Sequence, residues 1–125
     1  MRHMLVVGTL YALLCIVSCG GIDDYSVPLP NGYFLERTNV DSVGIMGRDG
    51  EVIPPNIVEI AVTGGIVVGR VDCRDSWDTG YFVLDTRSGE RSKGISQEEL
   101  QKRLRTLGVE PVPTLRHPSA LRHNG

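Results

Sequence analysis

Four residues in one short stretch could do chemistry together: Asp72, Asp75, Trp77 and Asp78. Three carboxylates offer the oxygen ligands that calcium prefers. Their spacing is not that of an EF-hand loop, and no glutamate closes it. Two acids facing one cleft could instead serve as acid and base on a glycosidic bond, and an indole among them could stack on a sugar ring or a cation. The plainer reading makes them solvated loop acids, with Trp77 packing back onto the core. Cys73 lies in the same stretch. It follows the apolar run 66–71, and the flanking Asp72 and Asp75 disfavour a thiolate, so a half-buried, inert thiol is expected. The histidines are His3, His117 and His123, all near the chain ends. A serine or cysteine nucleophile in the body of the chain therefore has no positioned imidazole base. Zinc lacks a ligand set, and no glycine-rich phosphate loop is present, since Gly64-Gly65 reads as a hairpin. No catalytic residue, metal or cofactor is assigned on these grounds, and the chain reads as a non-enzyme. The alternative is a small hydrolase using the loop carboxylates around Trp77.

The elements that must position this stretch are mostly strands. Residues 33–38 alternate, with Tyr33, Leu35 and Arg37 on one face and Phe34, Glu36 and Thr38 on the other. Residues 43–46 and 51–53 flank Gly47-Arg48-Asp49-Gly50, a hairpin turn in which Asp-Gly tolerates positive φ. Pro54-Pro55 ends that pairing, because proline cannot donate to a ladder. Residues 57–63 and 66–71 are dense in β-branched side chains around Gly64-Gly65, a two-residue hairpin signature. Val58, Ile60 and Val62 form the stripe expected to face the core. Residues 81–85 make a further strand, and 72–79 is the polar loop between. The C-terminal helix is the clearest element. Ser96 and Glu99 form a capping box, and Leu100, Leu104 and Leu107 form one apolar stripe. Glu98 with Lys102 and Glu99 with Arg103 are favourable pairs, and Gly108 is a ready C′ residue. Strands first and a one-striped helix last imply an α+β fold: a small antiparallel meander of four to six strands with one C-terminal helix packed on it. The strand and turn at 80–90 also look like part of a propeller blade, but at ~40–45 residues per blade the chain is too short for the four or more blades of a propeller.

The N-terminus bears on location. Met1-Arg2-His3 is a short basic start, and Met4 begins an uncharged, mostly apolar run of about 14 residues. That length fits a signal h-region of roughly 7–15 residues and falls short of the ~20 that span a bilayer. The run closes on Ile16-Val17-Ser18-Cys19, which resembles the lipobox of a bacterial lipoprotein signal peptide. An ordinary secreted protein and an uncleaved membrane anchor are the other readings of this segment. Taken with Gly32-Tyr33, the hairpin at 57–71, Tyr81-Phe82-Val83-Leu84-Asp85-Thr86 leading to Gly89-Glu90, and the helix at 96–107, the chain resembles a family of small bacterial lipoproteins of unknown function. The resemblance covers about Gly32 to Gly108 and carries no catalytic residue. It implies cleavage before Cys19, a palmitate-bearing lipid on its thiol, and a membrane-anchored protein of the cell envelope, at the outer membrane if the cell is Gram-negative, since Gly20 is not the aspartate that favours inner-membrane retention. The implied domains are a signal peptide at 1–18, a lipidated N-terminus and tether at 19–31, one α+β domain at 32–108, and a mobile tail at 109–125.

Charge narrows the partners. Residues 20–85 carry four basic and eleven acidic residues, net −7, while 86–125 carry eight basic and four acidic, net +4. An acidic body argues against nucleic acid, which requires a concentrated basic face. The membrane through lipidated Cys19, and an envelope protein or polymer, remain as partners. The expected role is a non-enzymatic envelope interaction module, with a small envelope hydrolase as the alternative.

Overall fold

The computed structural model describes residues 24–39, 41–73 and 78–123. Cys19, Asp75 and Trp77 lie outside the described residues, as does the whole signal segment. The fold is α+β, with two antiparallel four-stranded sheets and one α-helix. The N-terminal sheet is ordered β1 (Tyr25–Pro28), β2 (Phe34–Asn39), β3 (Ser42–Gly47) and β4 (Gly50–Ile53). The C-terminal sheet is ordered β5 (Ile57–Thr63), β6 (Ile66–Val71), β7 (Gly80–Asp85) and β8 (Arg91–Ile95). Helix α1 follows at Gln97–Thr106.

Eight strands in two sheets replace the four to six expected in one. Two of the additional strands have little signature of their own. β1 begins inside the segment read as tether, and β8, Arg-Ser-Lys-Gly-Ile, is poor in β-formers. Strand propensity mostly reports how side chains fit their neighbours, and both segments form by pairing with a stronger strand, β1 with β2 and β8 with β7.

Burial shows how the layers stack. Leu35, Ile45 and Ile53 of the first sheet share one cluster with Ile57, Ile60, Val67, Phe82 and Leu84 of the second, so the sheets pack face to face. The opposite face of the second sheet supplies Ile66, Val68 and Val83, which meet Leu100 and Leu104 of α1. Strand β6 is thus buried on both faces, which is why it reads as a nearly continuous apolar run instead of an alternation. Among the described residues, the first sheet has only its inner face covered in this way.

The expected stripe on β5 needs a correction. Ile57 and Ile60 are each 1% exposed, whereas Val62 keeps 36% of its surface. Pairing passes from Ile57↔Val71 to Glu59↔Arg70, leaving Val58 as the extra residue of a bulge. One inserted residue switches faces, so Ile57 and Ile60 point to the same side three positions apart.

The helix forms where its sequence predicts, at Gln97–Thr106 after Ser96. Ser96 Oγ accepts the Glu99 amide hydrogen at 3.2 Å, and Arg103 donates to Glu99 Oε1 at 3.4 Å. At the other end the Gly108 amide donates to the Arg105 carbonyl at 3.0 Å and the Val109 amide to the Leu104 carbonyl at 2.8 Å, with Gly108 at φ +81°. This is a Schellman termination, and Val109 packs beside the helix stripe to complete it.

Residues 109–123, expected as a mobile tail, take a docked course. Val109 and Leu115 lie against the helix-side cluster. Ile60 and Arg116 then exchange two backbone hydrogen bonds, 2.8 and 3.0 Å, across the free side of β5. Pro118 is buried in a short 3-10 turn, Pro118–His123, and Leu121 joins the inter-sheet core.

Candidate functional site

The loop after β6 separates the acids that the sequence groups together. Asp72 is exposed, its amide bonded to the Asn56 carbonyl at 2.9 Å. It lines a cleft of about 490 Å³ with Asp41, Pro55, Asn56 and Cys73. Asp78 is not among those lining residues. It stands 3.9 Å from Lys93 Nζ on β8. Cys73 is free and half-buried, with its edge against the inter-sheet core. Its amide donates to Thr79 Oγ1 at 2.9 Å, and the Thr79 hydroxyl donates to the Cys73 carbonyl at 2.5 Å, so one side chain closes the base of the loop. Among the described residues, no three histidine, cysteine or acidic side chains stand close enough to hold a metal ion.

A larger cleft of about 590 Å³ runs between α1 and the β7–β8 turn. Its walls carry Asp85, Glu90 and Arg91 on one side and Glu99, Lys102 and Arg103 on the other. Sequence reasoning singled out Glu99, Lys102 and Arg103 only as helix-surface pairs; nothing local marks them as neighbours of the β7–β8 turn. Two of the acids are already engaged. Asp85 accepts the Arg87 amide hydrogen at 3.0 Å and Arg87 Nε at 3.2 Å. These bonds, the backbone one first, hold its carboxyl below the ordinary aspartate range. Glu99 is paired with Arg103 at 3.4 Å. A general acid or base works best with a pKa near the operating pH, and an anion held charged by its own turn is badly suited to that task.

The outer face of the N-terminal sheet is different in kind. Leu35 and Ile45 point inward, so Phe34 and Met46 point outward, and the register places Pro28, Phe34 and Met46 side by side across three strands. Phe34 and Met46 are half-buried, and Pro28 is exposed. Glu36 and Glu51 share this face, and neither has an ion-pair partner among the described residues. An antiparallel sheet with one solvated face ordinarily alternates polar residues outward, so an apolar row with unpaired acids beside it is the informative departure. The alternation of 33–38 already placed Phe34 and Glu36 together. Met46 and Pro28 join them only through strand pairing, which no local pattern encodes.

The architecture of the described residues is therefore that of an α+β domain with one sheet enclosed on both sides and the other open, among those residues, on its outer face. Comparison with protein-family models, curated proteins and solved structures finds no match to the chain. Among the described residues, no helix is long and apolar enough to cross a membrane.

Proposed function

We propose that this chain is a lipid-anchored protein of the bacterial cell envelope that acts as a non-enzymatic interaction module. The observation that carries the reading is the apolar run closed by Ile16-Val17-Ser18-Cys19, which would place a lipid on the Cys19 thiol. Residues 20–24 separate that cysteine from Tyr25, where β1 begins. Fully extended, a link of about five residues reaches ~17 Å, so the domain is held close to the bilayer. Two or three acyl chains at ~0.8 kcal/mol per buried methylene make such an anchor firm.

The open face of the N-terminal sheet supports binding over catalysis. Its apolar row offers contact area, and Glu36 and Glu51 favour a protein partner that presents lysine or arginine beside an apolar side chain. An anionic leaflet would be repelled by the same two acids, so the face suits a neighbouring envelope protein better than the lipid surface. The test places a photo-crosslinking amino acid at position 34 of the full chain in its native cells and maps the captured segment by mass spectrometry. A basic, apolar segment is expected, lost when Glu36→Lys and Glu51→Lys are combined. Capture no different from that of the same probe at the exposed helix residue Gln101 would refute the proposed surface.

A further inference from the structure

The first and last described segments of the chain meet at one aromatic ring. Tyr25 opens β1, the edge strand nearest the N-terminal segment, and its register partner on β2 is Arg37. The Arg37 guanidinium lies 5.8 Å from the centre of the Tyr25 ring. The Arg122 guanidinium, from the C-terminal 3-10 turn, lies 4.7 Å from the same centre. A guanidinium within about 6 Å of a ring centre is attracted by the ring quadrupole. Leu121, the residue before Arg122, packs into the cluster that also receives Tyr25, Val27 and Leu29 of the β1 segment.

Besides these contacts, the β1 segment is held by Val27 and Leu29 in the inter-sheet core and by its ladder with β2. The strand has four residues and, among the described residues, pairs only with β2. The Tyr25 hydroxyl is buried without a hydrogen-bond partner among the described residues, which is a cost of docking this strand. The clamp itself is well fixed. The Ile60–Arg116 hydrogen bonds tie its start to β5, and the Ser119 amide donates to His117 Nδ1 at 3.1 Å to shape its turn. The segment thus spans from the edge strand of one sheet to the edge strand of the other.

We propose that residues 116–123 form a latch on β1, so that opening the latch releases β1 while the C-terminal sheet and helix stay folded. Release would return residues 24–28 to the chain that leads to the N-terminus, while Asn31 stays tied to Thr86 Oγ1 at 2.9 Å. Five residues at ~3.3–3.6 Å each add about 17 Å of reach. That consequence rests on the lipid-anchor reading, but the latch does not. The latch would thus give the domain a reserve of chain beyond its short tether.

Hydrogen exchange on the full chain in detergent micelles tests the latch. Arg122→Ala should speed exchange across β1 by about tenfold, and should leave Val67, Val68, Phe82 and Leu84 at wild-type rates. Tyr25→Phe keeps the ring and removes the unpartnered hydroxyl, so it should slow exchange in the same stretch. Unchanged rates in β1, or equal acceleration in β1 and in β6–β7, would overturn the latch. Lipid labelling of the same preparations reads the anchor separately, so loss of one result does not mimic loss of the other.

Discussion

Gly69→Ala is expected to destabilise the fold by about 3 kcal/mol or more, measured as a lower urea midpoint at unchanged slope. Gly69 sits at the middle of β6, opposite Ile60 on one side and Phe82 on the other. A Cβ there would stand 2.6 Å from Phe82 Cε2 and 2.7 Å from Phe82 Cζ, and it would also press on the Glu59 carbonyl oxygen. The ring cannot move aside, because Phe82 is fully enclosed by the inter-sheet cluster. The carbonyl cannot move aside, because β5 is tied to β6 on one side and to Arg116 on the other. A domain of this size has a total stability on the order of 5–15 kcal/mol, so the loss would leave a visible unfolded fraction on warming. A stability equal to wild type would mean that β5 and β7 do not close on Gly69 as described.

Leu104→Ala is expected to cost roughly 2–5 kcal/mol, the range for removing a large buried aliphatic side chain. Leu104 is fully buried and, with Leu100, provides the helix side of the outer cluster. Alanine is the best helix former, so α1 itself gains propensity while losing its attachment, and the effect reports tertiary packing alone. Gln101→Ala on the exposed face should change stability by no more than about 0.5 kcal/mol. Equal effects at the two positions in chemical denaturation would contradict the placement of α1 on the second sheet.

The sequence announces features that are fixed within a few residues. Ser96 and Glu99 mark the helix start because the cap is a local hydrogen bond, and Gly64-Gly65 marks the hairpin because only the backbone of the turn matters. Features that depend on remote partners are illegible. The bulge at Val58 turns Ile57 inward and is visible only against Val71 and Arg70. β8 has no strand character until β7 lies beside it. Arg116 looks like a tail residue because its partner, Ile60, lies far back in the chain. The site follows the same division. Asp72 and Asp78 lie in one short loop of the sequence, yet one lines the cleft with Asn56 and the other faces Lys93. The Pro28–Phe34–Met46 row exists only once three strands are in register.

The proposed anchoring of this domain to a membrane through Cys19 is tested most directly by the intact mass of the protein extracted from cell membranes. The expected result is a chain that lacks residues 1–18 and carries a diacylglycerol on its N-terminal cysteine, with both the modification and the membrane fractionation lost in Cys19→Ala. A protein that keeps residues 1–18, or a Cys19→Ala variant that remains in the membrane fraction with an unaltered N-terminus, would contradict the anchor.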